Sequence, residues 1–318
     1  MGRSTPASPS LALSTIGLVK RSSVYLLLLF VVIVWGGSFV AARMILYSDR
    51  TEIATLSPTM LATVRFVLAS AIFLPILIRQ HRRVQPLTAR DIPTFLLLGQ
   101  LGISLYFWLQ YTGVQLTNAG ISAVIVVGLI PLTTMLISGL TLGESLGGKR
   151  TLALTLGTVG VVVVASQKGL QVAMESGFLF GTFCLIANAL CFSIYSTLIR
   201  GIRDRYPSLT VTAGMTIAGT LGLLLLSMLT EDWGTLGALS ADQWLSILYL
   251  AVVCSVLAYF FYNYALTKIE ATQAAVWIYL EPVVAVVLGV FMLGEVVAVH
   301  TILGGLLILA SLLLTQRS

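Results

Sequence analysis

The sequence predicts an all-α membrane protein in which ten transmembrane helices form two inverted five-helix repeats, and three observations predict it. The 318 residues are 58% hydrophobic and 9% charged, where a soluble domain is about a quarter charged. The apolar residues gather in ten runs of a length that suits a membrane-spanning helix. A shift of 151 positions lays one half of the chain on the other. Pro131 then falls on Pro282, Ile130 on Glu281, Tyr111 on Tyr262, Ala153 on Gly304, Gly160 on Ser311, and Leu142-Gly143-Glu144 on Leu293-Gly294-Glu295.

Residues 1–23 read as a cytoplasmic tail. The first 20 are rich in Ser and Pro and hold no long apolar core ending in a small-residue cleavage site, so the tail is expected to be disordered and the first helix to be an uncleaved anchor. The first repeat, residues 24–166, contains helices over 24–46, 57–79, 93–111, 119–140 and 150–166. The fifth is short, so it must stand upright or be shielded by neighbours. The second repeat, residues 176–315, contains helices over 176–199, 209–229, 243–264, 272–293 and 298–315. A closed barrel would alternate in strands of about ten residues, which the continuous Leu, Val and Ala runs do not do.

The formal charge of +6 is explained by topology rather than by a nucleic-acid partner. With the N-terminus inside, 14 of the 18 basic residues lie on the cytoplasmic side, among them Arg79, Arg82, Arg83, Arg90, Lys149, Arg150, Arg200, Arg205 and Lys268. The outer loops receive Asp49, Glu52, Glu175, Glu231, Asp232 and Asp242 against only Arg50 and Lys168. Both termini are then cytoplasmic, and one helix more or fewer would invert every later loop. Five is odd, so the second repeat enters the membrane from the opposite side. Inverted repeats recur in secondary transporters, which bind substrate near the midplane and rock one half against the other.

Trp35-Gly36-Gly37-Ser38-Phe39 in the first helix, Arg65-Phe66 in the second, and the paired proline and Leu-Gly-Glu elements resemble the EamA branch of the drug/metabolite transporter superfamily over about residues 24–315. The resemblance implies ten helices as two EamA units, a bacterial inner membrane, and export or exchange of small metabolites such as amino acids. The second copy departs from the first where Gly214 takes the place of Arg65, each seven residues after a proline.

No P-loop, dinucleotide fingerprint, zinc spacing or Ser/His/Asp arrangement occurs. The expectation is therefore a non-enzyme that uses no ATP, metal or cofactor and draws on a gradient or on substrate exchange. Cys184 and Cys191, seven residues apart on one helix, are too far apart for a disulfide and read with Cys254 as small apolar fillers.

Polar groups inside membrane helices turn toward the bundle interior or a wet cavity, which selects the candidate site. Glu281 stands mid-membrane with Trp277 one turn earlier on the same face. It reads as a proton-coupling or substrate-amine group, or as an acid that hydrogen-bonds the backbone freed by Pro282. Arg65 needs an anion, which Glu281 or a substrate carboxylate could supply; alternatively its long side chain snorkels to the outer interface. Tyr106 and Gln110 share one helix face, as do Tyr259, Tyr262 and Asn263, and Asn188, Tyr195, Trp35 and Ser38 complete a cavity wall. An aromatic wall with few polar groups suits amphipathic metabolites or organic cations.

Tyr25, Tyr47, Trp233, Trp244 and Tyr249 read as interface markers, and Arg43 as an anchor at its helix C-terminus. Glu144 and Glu295 read as caps for the next helix. Gly157, Gly160, Gly304 and Gly305 allow the fifth and tenth helices to approach closely, either as an internal brace or as a homodimer contact. Besides lipid, the expected partner is a small-molecule substrate. A drug-like cation exporter is the alternative within transport, and a channel or scaffold the alternative outside it.

Overall fold

The computed structural model describes residues 21–46, 56–83, 88–116, 119–143, 147–166, 176–202, 205–281, 283–284 and 299–316. Among them every regular element is helical. The chain begins with α1 (Arg21–Leu46) and α2 (Pro58–Arg83). Ser57 caps α2 by accepting from the Met60 amide at 3.0 Å. Next come α3 (Ile92–Gly99), a π-helical segment (Gln100–Ser104) and α4 (Leu105–Leu116). These run on as one rod, because the residues at both joints keep right-handed helical dihedrals. The first half ends with α5 (Ala119–Leu142) and α6 (Gly148–Ser166).

The second half follows the same order, with α7 (Ser176–Ile202) and α8 (Ser208–Thr230). A capping box between Ser240 and Gln243 then starts α9 (Ala241–Leu248). A second π-helical segment (Tyr249–Leu257) continues it into α10 (Ala258–Leu266). α11 (Ala271–Ile278) and α12 (Val299–Gln316) complete the described helices. The first π segment, shifted by 151, lands on residues 251–255 and so inside the second.

Among the described residues, six helical stretches are long and apolar enough to cross a membrane: Pro58–Arg82, Ala89–Gly113, Ile125–Leu142, Phe180–Arg200, Ser208–Thr230 and Ala241–Leu266. The helix expected over 272–293 is not uniform in its described part. After α11 the Tyr279 and Leu280 amides bond to Val276 and Trp277, three residues back, which is a tighter turn just ahead of Pro282. A proline next in the chain supplies no amide to continue the ladder, which accounts for the break.

In the packing, α2 and α3 lie on α8, α4 and α5 on α7, α1 on α10, and α6 on α12. Polar ties close the ends. Ser57 donates to Glu231 at 2.6 Å. Asp91 accepts from Thr88, Tyr206 and Arg205, and Arg150 pairs with Glu270. α6 and α12, the fifth and tenth expected helices, brace each other within one chain: Ser311 Oγ donates to the Ala153 carbonyl at 2.6 Å, and a β-carbon on Gly157 would stand 2.9 Å from Ser311 Oγ. Of the interface markers, Tyr25, Trp244 and Tyr249 are half-buried against the core, Tyr249 donating to the Val34 carbonyl at 2.8 Å. Glu144, Glu295 and Tyr47 lie outside the described residues, as does the side chain of Arg43.

Candidate functional site

Helical spacing on α4, α7 and α10 brings one continuous aromatic block to the middle of the bundle. Trp35 of α1 meets the rings of Tyr262, Tyr259 and Phe192 at 5.3, 5.4 and 6.1 Å between centroids. Phe192 in turn meets Tyr106 at 5.4 Å and Tyr195 at 5.5 Å. Phe66 links Tyr259 to Phe107, at 6.5 and 4.8 Å, and Phe107 leads on to Tyr111 at 5.5 Å.

Most polar edges of this block are bonded, as burial demands. Trp35 Nε1 donates to the Cys254 carbonyl at 3.1 Å, and Tyr259 donates to the Gly102 carbonyl at 3.1 Å. Tyr262 and Ser196 share a hydrogen bond of 3.2 Å. Tyr195 donates to Asn263 Oδ1, whose amide donates to Thr212 at 2.9 Å. Asn188 donates to the Tyr106 carbonyl at 2.7 Å, yet its Oδ1 is buried with no hydrogen-bond partner among the described residues.

Two buried ionisable side chains lie close to the block. Glu281 is 7% exposed, and among the described residues its carboxyl makes no hydrogen bond or ion pair. Gly36 of α1 lies against it, so close that a β-carbon there would stand 3.2 Å from the Glu281 carbonyl oxygen. Arg65 is 3% exposed, which corrects the expectation that it could snorkel to the interface. Nor does it pair with Glu281. Its Nε donates to Ser255 at 2.7 Å and its Nη1 to Tyr111 at 3.3 Å. The guanidinium carbon sits 4.6 Å from the Phe107 ring centroid and 5.1 Å from that of Phe66. Tyr106 and Tyr259 lie within electrostatic reach of both charges.

The remaining sequence-predicted residues divide. Gln110 is buried on α4 beside the block and makes no side-chain hydrogen bond among the described residues. Ser38 donates to the Trp35 carbonyl of its own helix at 2.7 Å. Trp277 stacks on Tyr25 at 5.5 Å. Ser255, Phe107, Phe192 and the hydroxyl of Tyr111 are parts of the arrangement that the sequence reading did not single out, whereas Phe66 entered only through the Arg65-Phe66 motif. Only the repeat hinted at one of them, since Tyr111 is the counterpart of Tyr262.

This chain belongs to the EamA-like transporter family, which it matches twice, over residues 22–166 and 179–317. It is 29% identical to a probable amino-acid metabolite efflux pump of Salmonella typhimurium, over 90% of this chain and 92% of that one. It is 27% identical to a probable terminal-alkyne amino-acid exporter of Streptantibioticus cattleyicolor, over 94% and 95% of the two chains. An uncharacterized transporter of Bacillus subtilis is 25% identical over 93% and 94%. One crystal structure superposes with a TM-score of 0.74 at 20% identity, covering 94% of this chain and 99% of its own, and so shares the fold. The family and the apolar helices identify a multi-pass membrane protein of the transporter class.

Proposed function

We propose that the protein is a secondary transporter of the bacterial inner membrane that exports or exchanges small amphipathic metabolites, amino acids or their relatives, by alternating access. The observation that carries this reading is the Glu281 carboxyl, buried at a break in its helix with no hydrogen-bond or ion-pair partner among the described residues and close to an aromatic block. An intramembrane acid left unpaired is poised to take a proton or a substrate ammonium. Arg65, bonded to Tyr111 and covered by Phe107 of the same block, is suited to a carboxylate. The names of the Salmonella and Streptantibioticus relatives agree with an amino-acid cargo.

Ten helices in two inverted repeats, 24–166 and 176–315, with both termini cytoplasmic, is the architecture we infer. It is supported by the two family matches and by the packing. When each helix of one half is exchanged for its counterpart, α4 on α7 becomes α10 on α1, and α3 on α8 becomes α9 on α2; both contacts occur. The proton gradient or substrate exchange supplies the drive.

Saturable counterflow in proteoliposomes tests the function. Protein-dependent exchange that saturates with one member of a metabolite panel supports a carrier, and conductance without saturation would make the protein a channel. Export of drug-like organic cations is a second reading, favoured by the ring-lined acid; it requires that cationic probes outcompete zwitterions in that assay.

A further inference from the structure

The two π-helical segments hold the same place in the two halves, yet a serine in each does different work. Ser104 and Ser255 are 151 residues apart. Ser104 donates to the Gly219 carbonyl of α8 at 2.5 Å and so serves helix packing. Ser255 donates to the Leu250 carbonyl five residues back in its own rod at 2.9 Å, a reach that matches the wide turn. Its proton thus committed, the Ser255 oxygen accepts from Arg65 Nε at 2.7 Å. Gly214, the counterpart of Arg65 in the second half, offers Ser104 no such partner.

The consequence for Arg65 is geometric and electrostatic. Phe66 and Phe107 cover the guanidinium, and Ser255 and Tyr111 fix Nε and Nη1. Nη2 makes no hydrogen bond among the described residues, and no carboxylate among them bonds to the group. Neutral hydroxyls orient a guanidinium without cancelling its charge, whereas a resident carboxylate would occupy the fork. A fork held in this way matches an incoming carboxylate.

We propose that Ser255 is a positioning residue: delivered by the π-helical turn, it holds Arg65 as a receptor for the carboxylate of the transported molecule. The word transported rests on the function proposed above, but the receptor can be tested by binding alone. Purified full-length protein in detergent is titrated with phenylalanine, leucine and hydrocinnamate, each against its own amide, with thermal stabilisation as the readout. Wild type is expected to prefer at least one acid over its amide by roughly tenfold, the scale of one charge-assisted contact. Ser255→Ala loses that preference while its affinity for the amides stays within about twofold. Ser255→Thr retains the preference, since the hydroxyl is kept, and Arg65→Lys does not.

Should Ser255→Ala fail to fold, Tyr111→Phe removes the other fixing contact and is expected to weaken acids selectively. Wild type without acid preference on any pair, or Ser255→Ala with the preference intact, overturns the proposal. Acid-selective binding that depends on Ser255 in a protein without counterflow would count against transport and leave the receptor standing.

Discussion

Gly36 of α1 and Val284, three residues beyond Glu281, approach so closely that a β-carbon on the glycine would stand 2.8 Å from Val284 Cγ1. This contact presses α1 onto the stretch that carries Glu281. Gly36→Ala must shift a β-branched side chain and move the Glu281 carbonyl, and overpacking of this kind costs about 1–3 kcal/mol. The variant is expected to unfold several degrees below wild type in detergent. Its counterflow should be reduced with a changed half-saturation, because the displaced segment includes Glu281. A variant equal to wild type in both would show that α1 and this segment do not need close contact.

Glu281→Gln keeps the shape of the side chain and removes its titration. If the carboxyl carries the coupling proton, accumulation driven by a pH gradient is lost in the variant while substrate-for-substrate exchange continues. The exchange rate of the variant is expected to be flat between roughly pH 5.5 and 8.5, where that of wild type varies. Measuring both modes in one liposome preparation separates coupling from folding. A wild-type pH profile in the variant removes the coupling role.

What the sequence made legible follows from how each signal arises. Membrane helices are written locally, as apolar runs, and the described helices fall within a few residues of the expected positions except where the ninth segment breaks before Pro282. Tyr106, Asn188, Tyr195, Tyr259, Tyr262, Asn263 and Trp35 were legible as one group because buried polar and aromatic groups on membrane helices have few places to point. The partners of Arg65 were not. Ser255 is 190 residues away from it and looks like any small helical residue, and the π-helical turn that aims it leaves no compositional mark. Trp277 was placed correctly on its helix, but its face is met by Tyr25, whose position near a helix end suggested an interface instead.

Asp91 joins the turn before α3 to the turn before α8, and its partners are unequal. Tyr206 is buried, whereas the Arg205 side chain is 53% exposed. Exposed ion pairs contribute about 0–1 kcal/mol, while an unsatisfied buried group costs about 1–3 kcal/mol. The expected order of destabilisation is Asp91→Ala, then Tyr206→Phe, then Arg205→Ala, the last close to wild type at moderate salt. Thermal unfolding of the three variants checks the order, and a dominant effect of Arg205 would mean that the ion pair holds this end together.

The brace between α6 and α12 gives a prediction that also bears on assembly. A β-carbon on Gly157 would come within 2.4 Å of the Tyr279 ring and 2.9 Å of Ser311 Oγ, so the two helices and α11 meet at one glycine. Tyr279 shares a 2.9 Å hydrogen bond with Thr158, one residue further along α6. Valine at 157 would therefore push Tyr279 out of its site and break its bond to Thr158, which keeps its own bond to the Leu154 carbonyl at 2.9 Å. Overpacking and the lost bond together amount to about 2–4 kcal/mol, a large share of typical stability. If the brace is internal, Gly157→Val lowers the unfolding temperature without dependence on protein concentration. A cysteine pair at 153 and 311 then crosslinks within single chains. Crosslinks that instead join two chains, together with a loss of stability that protein dilution reproduces in wild type, would assign these glycines to a dimer.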